Sequence, residues 1–447
     1  MNIETEEISM EEGFRRLRQF LSPFTGIVSA IGEIMYFPDE APIHIVGCKL
    51  AAVGPTLGIS DQRLIAGGAG FSRDDALARA LGEALERYAS VAVDPNRIRF
   101  ATAREMGPRA IRPAEVPLFT DQQYASPNFP FTRFDEDLRT SWIEAWELPS
   151  GQPRYIPAQL VYLISPSETG EHPPLISYAT STGIALGASR QQAIFSGLME
   201  AVERDAFICT WENRLSLPHL TWVGSHRLTS LFAKYFTVPG VRWDVMDMSE
   251  FLGIPTVLTV LRSDNPEAVA LAVGAASADN IELAIIKATT EAFQTRNWAR
   301  TLLQTNAGRR FRSDFSDFGA FEDHILYHTS HANATCASFL YESKVTRDIS
   351  EVPSLEGRTH VERIRSASAR IAARGEKVYF TDITPPDIAQ GGLHVACVFS
   401  PGLCRLNVGQ GARFLSNSRL RKAPVEAGIL KSAKPLNQMN PFPHPFP

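Results

Sequence analysis

Two stretches of the sequence carry one pattern, E-x-x-E-R: Glu83, Glu86 and Arg87 in the first, Glu200, Glu203 and Arg204 in the second. On a helix, carboxylates three residues apart project from one face, and an arginine four beyond the first stands beside them. Taken singly, each stretch reads as a solvated ion pair, Glu83 with Arg87 or Glu200 with Arg204, worth about 0.2–0.5 kcal/mol. Taken together, in matched surroundings, they point to chemistry. Carboxylates brought into one cavity repel and lose hydration, so a cation must accompany them. Magnesium takes oxygen ligands and shares them with phosphates. Guanidinium groups take phosphate oxygens bidentately. The chemistry indicated is metal-assisted handling of a nucleoside triphosphate.

The flanking residues repeat as well. SRDDALARALGEALERYA (Ser72–Ala89) aligns without a gap to SRQQAIFSGLMEAVERDA (Ser189–Ala206), with identity at nine of eighteen positions. A fainter third copy, NIELAIIKATTEAFQTRN (Asn280–Asn297), keeps Ala284, Glu291 and Ala292, and puts Gln294 where the others have their second glutamate. Each copy follows a small-residue or apolar run: LIAGGAGF, YATSTGIALGA and AVALAVGAASA. The runs predict strands ending in loops. Ala76, Ala80, Leu81, Ala84 and Leu85 fall at helical spacing after them, and Ser72 and Ser189 stand where an N-cap belongs. The expected unit is strand, loop, helix, used three times. Its length excludes a solenoid and favours duplication within one α/β fold. If the helices face one another, four carboxylates converge and Glu291 makes a fifth.

Composition narrows the remaining classes. The chain has 447 residues, 44% hydrophobic and 21% charged, with 44 basic against 49 acidic side chains. That is globular composition without a nucleic-acid footprint. No apolar run is long enough to cross a bilayer. The acidic start, MNIETEEISMEEGF, is neither a secretory signal nor a transit peptide, so a cytoplasmic protein is expected. The five cysteines make no C-x-x-C pair, and the histidines show no metal-ligand spacing, so buried thiols are expected rather than a zinc site. Neither a Walker loop nor a Rossmann glycine fingerprint is present.

The last residues, Pro441-Phe-Pro-His-Pro-Phe-Pro447, alternate proline with aromatic side chains. Such a segment is stiff and extended. On composition it reads as a free tail or a ligand for a proline-reading domain. It can equally carry an end group to a fixed place, with His444 alongside as a proton carrier.

GGAGFSRDDALARALGEALERY, STGIALGASRQQAIFSGLMEAVERDAF and KATTEAFQTR, closing on PFPHPFP, resemble the YcaO family. The P-x-P-x-P ending resembles its azoline-forming branch, the cyclodehydratases of thiazole/oxazole-modified microcins. The resemblance implies an ATP site inside one large α/β domain with internal duplication, binding ATP and Mg2+. Glu83, Glu86, Glu200 and Glu203 would hold the metal. Arg87 and Arg204 would meet phosphates, with Glu291, Gln294 and Arg296 completing the nucleotide site. Pro443, Pro445 and Pro447 would bring the tail to the reacting centre. The implied reaction converts Cys, Ser or Thr of a ribosomally made precursor peptide to thiazoline or oxazoline, releasing ADP and phosphate. The sequence departs from many relatives at Gly68-Ala69-Gly70, which lacks their lysine.

Organisation follows. Residues 1–60 form an N-terminal segment and candidate partner interface, 61–434 the catalytic domain, and 435–447 the proline-rich tail. No leader-binding domain fits in the first 60 residues, so a separate E1-like or ThiF-like partner protein is expected to bind the precursor peptide. A flavin-dependent azoline dehydrogenase and a homodimer are both compatible with this. Two alternatives remain open at this stage: a YcaO-type thioamide-forming enzyme, which the terminal prolines oppose, and a non-catalytic docking scaffold, which the altered glycine loop favours.

Overall fold

The three repeated segments fold as three copies of one strand–helix unit. In the computed structural model, which describes residues 8–35, 37–51, 65–167, 173–306 and 308–446, strand β3 (Ile65–Gly70) leads into helix α2 (Arg73–Ala89). Strand β7 (Ile184–Gly187) leads into α3 (Arg190–Asn213). Strand β11 (Leu271–Ser277) leads into α4 (Ile281–Thr305). The fainter third copy is therefore a full member of the set.

The turns between strand and helix coincide in geometry. Ser72, Ser189 and Asn280 cap the three helices at φ −132°, −139° and −141°. Each side chain accepts the N–H three residues on, that of Asp75, Gln192 or Leu283, which satisfies an otherwise orphaned donor. Each helix then lies on a glycine of its own strand. A Cβ on Gly68, Gly187 or Gly274 would overlap the backbone of Ala80, Ala193 or Ala292. The small residues of these strands are what permits this approach.

Each unit belongs to its own sheet. β3 pairs antiparallel with β2 (His44–Leu50), which pairs with β1 (Val28–Ile34). The N-terminal segment thus supplies two of the three strands under α2, and is built into the first unit. β7 is the edge of a second sheet, next to β14 (His394–Phe399), then β13 (Val378–Asp382) and β5 (Thr140–Leu148). The outer strands β4 (Arg99–Ala101) and β6 (Pro153–Pro157) both pair with β5. β11 is the edge of a third sheet, beside β10 (Thr256–Ser263), β9 (Val241–Asp247), β8 (His219–Thr221) and β12 (Thr346–Asp348).

The units close on each other in a ring. Besides its own strand, α2 packs on β7 of the second unit, α3 on β11 of the third, and α4 on β3 of the first. Consequently α3 is enclosed: every residue from Asp205 to Asn213 is buried, as a helix surrounded on all faces must be. Its buried charges are answered locally. Asp205, fully buried, meets Arg419 of α7 (Arg419–Glu426) at 2.7 and 2.8 Å. Glu212 meets Arg413 at 2.8 Å. All five cysteines are buried and unpaired. Among the described residues no helix is long and apolar enough to cross a membrane.

Candidate active site

The ring of helices brings the predicted carboxylates together. The first glutamate of each unit accepts a backbone N–H from just beside its own helix. Glu83 Oε2 takes Gly67 N–H at 2.9 Å, Glu200 Oε2 takes Gly183 N–H at 3.3 Å, and Glu291 Oε2 takes Ala275 N–H at 3.0 Å. One oxygen of each is anchored in this way. The second-position residues reach across units. Glu86 Oε1 accepts Leu186 N–H on β7 at 2.7 Å. The Gln294 amide nitrogen stands over Gly67, 3.4 Å from where a methyl would sit. Glu203 of the second unit feels Glu291 of the third.

Electrostatics registers the crowding. Burial lifts Glu86 to about 8, with Glu200 and Glu83 adding repulsion against the Leu186 hydrogen bond. Burial also lifts Glu291 to about 7, with Glu200 and Glu83 again adding to the rise. Glu200 and Glu203 are raised by the same burial, which outweighs Arg204 beside them. Four carboxylates held above their ordinary range in one place is a site short of positive charge.

The protein supplies only part of that charge. Arg87 Nη2 lies 3.2 Å from Glu83 Oε1, while its Nη1 donates to Ser181 Oγ at 3.2 Å. Arg204 lies 3.6 Å from Glu200 and 3.5 Å from Glu203. Two further cations join. Lys287 is within electrostatic reach of Glu203 and of Arg79. Both stand one turn before a first glutamate, Arg79 before Glu83 and Lys287 before Glu291. That i,i+4 relation was visible in the sequence and was missed. The donor set is all oxygen, anionic and partly pre-anchored, which suits a hard divalent cation such as Mg2+.

Arg296 departs from expectation. It is 1% exposed and spends its guanidinium on Glu40 and the Asp39 carbonyl. The reason is register. In the third copy, Thr295 occupies the place of Arg87 and Arg204, so Arg296 lies one residue further, about 100° around the helix and away from the cluster. There it fastens α4 to the loop before β2.

The tail is no free end. It runs back along α3, with Asn440 N–H donating to Glu212 O at 2.8 Å and the Trp211 indole donating to Phe442 O at 3.0 Å. His328 Nε2 holds Pro443 O at 2.8 Å. Pro443 and Pro445 are buried. Phe446 is fully buried against Phe207, ring centroids 4.6 Å apart, and lies under the Arg204 guanidinium at 4.3 Å. The tail thus ends with Phe446 against Arg204, an arginine beside Glu200 and Glu203. Pro447 lies outside the described residues, as do 1–7 and 52–60 of the N-terminal segment. His444 is no proton carrier: it is 1% exposed, stacked on His324 at 4.1 Å, and its Nε2 faces Asn407 O at 3.0 Å. Burial holds it well below the usual histidine range, hence neutral.

Three interlocked strand–helix units with anchored carboxylates at their centre define a class of ATP- and Mg2+-binding fold that owes nothing to a glycine loop. The chain belongs to the YcaO family: residues 67–404 match the YcaO cyclodehydratase model, described as ATP- and Mg2+-binding. A heterocyclase in complex with substrate and cofactor superposes with TM-score 0.79 at 24% identity, covering 100% of this chain and 59% of that one. YcaO from Methanopyrus kandleri, bound with AMPPCP and Mg2+, superposes at 0.60 and 18%, covering 89% and 91%. The E. coli microcin synthetase McbBCD complex with pro-MccB17 gives 0.60 and 15%, covering 94% and 98%. An uncharacterised protein of Methanothermobacter thermautotrophicus is 28% identical over 60% of this chain and 65% of its own length. The chain thus spans under two thirds of that relative and of the first heterocyclase.

Proposed function

We propose that this chain is an ATP-dependent cyclodehydratase that turns Cys, Ser or Thr of a ribosomally made precursor peptide into thiazoline or oxazoline. The observation that carries this is the meeting of five anchored or crowded carboxylates, Arg87, Arg204 and the proline-rich tail in one place. The side-chain sulfur or oxygen forms a bond to the preceding amide carbon. The amide oxygen, a poor leaving group, accepts the γ-phosphoryl of ATP, leaving ADP. Its C–O bond then breaks and phosphate departs, closing the C=N of the ring.

When bound, Mg2+ would supply positive charge against the negative charge that develops during phosphoryl transfer. Glu83, Glu86, Glu200, Glu203 and Glu291 are the residues to hold it. Arg87 and Arg204 offer guanidinium donors to the phosphates. Gln294 buttresses Gly67 and so the anchor of Glu83. Phe446 under Arg204 holds the end of the tail beside a guanidinium assigned to the phosphates. Precursor recognition is assigned to a separate E1-like or ThiF-like partner protein; this chain spans only 59% of the substrate-bound heterocyclase, and the microcin synthetase is itself a complex.

The test is direct. Incubate the full chain with its partner, precursor peptide, ATP and Mg2+, then follow peptide mass and phosphate. Loss of one water per ring, matched by one phosphate, is expected. Phosphate at background with unmodified peptide would leave a docking scaffold as the better reading, and sulfur incorporation would make it a thioamide former.

A further inference from the structure

Several inward-facing arginines among the described residues have an acid: Arg296 has Glu40, Arg413 has Glu212 and Arg419 has Asp205. Arg405 has none. Among the described residues no carboxylate or hydrogen-bond acceptor reaches its guanidinium, which rests on the rings of Phe399 at 4.6 Å and Phe414 at 6.0 Å. A half-buried guanidinium that rests on aromatic rings and has no acid beside it keeps its donors for an anionic ligand.

Arg405 lines a narrow cleft, part of it open to solvent, together with Tyr178, Thr180, Thr182, Ala201 and Ser400. The hydroxyls of Tyr178 and Ser400 are already bonded to backbone, at Gly409 and Lys377. Those of Thr180 and Thr182 have no protein partner among the described residues. A guanidinium fork with two spare hydroxyls suits a tetrahedral oxyanion.

The cleft borders the carboxylate cluster. Ala201 follows Glu200 on α3, and Thr182 precedes Gly183, whose N–H anchors Glu200. Between the two threonines, Ser181 accepts from Arg87. The Cys397 thiol is within electrostatic reach of both Glu200 and Arg405. An anion set free among five carboxylates is repelled by them, and Arg405 on the bordering cleft is a positive charge with no acid of its own.

We propose that Arg405, Thr180 and Thr182 form a holding site for inorganic phosphate, through which the anion released beside the carboxylates leaves. The site rests on the proposed reaction for its purpose, but its chemistry can be measured without turnover.

Inorganic phosphate is titrated into the full chain in the presence of Mg2+ and ADP, followed by calorimetry and 31P NMR. Saturable binding is expected, weakened at least tenfold in Arg405→Met and about threefold in Thr182→Val, with ADP affinity changed less than twofold. Unchanged thermal melts show that both variants fold. No saturable binding in the wild type, or equal binding in both variants, overturns the proposal. Equal loss of ADP and phosphate affinity also overturns it, because the arginine would then belong to the nucleotide. A rise in peptide KM with phosphate binding intact overturns it in favour of a peptide contact. If phosphate binds through Arg405 yet no peptide is ever cyclised, the reaction assignment fails and the site stands.

Discussion

Removing one negative charge from the cluster should stabilise the metal-free protein, and only at high pH. Glu86→Gln keeps the side-chain oxygen that accepts Leu186 N–H and deletes a charge that burial, Glu200 and Glu83 all oppose. Glu86 moves from 4.5 unfolded to about 8 folded. A carboxyl with a raised folded pKa binds more protons in the folded state. Its contribution is therefore fully present below the unfolded value and is lost as pH rises through the folded one. At about 1.4 kcal/mol per pKa unit the ceiling is near 5 kcal/mol, and residual solvent in the cleft brings the expectation to about 2 kcal/mol. The measurement is urea denaturation of wild type and Glu86→Gln with divalent ions chelated, at intervals from about pH 5 to about pH 9. The curves should coincide at the acid end and diverge by about 2 kcal/mol in favour of the variant above about pH 8. Mg2+ with a nucleotide analogue should reverse the order, because a ligand of the folded state stabilises the chain that binds it. Parallel curves across the range, or a variant less stable at alkaline pH without metal, would refute the idea of a charge-crowded centre.

Four other outcomes follow from named contacts. Glu200→Ala removes the partner of Gly183 N–H and one central carboxylate; peptide turnover should vanish while far-UV circular dichroism stays unchanged. Phe446→Ala should cost about 3–5 kcal/mol in urea denaturation, since its ring is fully buried on Phe207, so tail truncation will weaken the fold as well as the chemistry. Arg296→Met leaves the buried Glu40 carboxylate to Arg300 alone and should cost about 1–3 kcal/mol with nucleotide affinity changed less than twofold. Arg87→Met should do the reverse, which calorimetry with a nucleotide analogue distinguishes.

The cluster was legible because helical spacing, repetition and charge all point the same way at Glu83, Glu86, Glu200 and Glu203. Even the third unit announced itself through Glu291 and Gln294, although its asparagine cap hid the likeness to Ser72 and Ser189. Arg296 misled because type was matched without register: a single position separates it from the place of Arg87 and Arg204. Arg405 was illegible for a different reason. Its significance lies in what it lacks, and an absent partner is a property of three-dimensional packing. His444 likewise could not be told from a mobile acid–base group until Phe446 was found buried beyond it, because composition distinguishes poorly between a loose proline tail and one threaded along a helix.

The glycines beneath the three helices have an implication for how the centre could be altered. Because Gly68, Gly187 and Gly274 let helix backbone rest on strand backbone, the spacing of the carboxylates is set by three missing methyl groups as much as by the acids themselves. Adding one of those methyls would lever a whole helix outward and carry its carboxylate with it. Every ligand would still be present in the sequence, yet none would be at its working distance. A homologue scanned only for its acids would then be scored as competent while its grip had been lost.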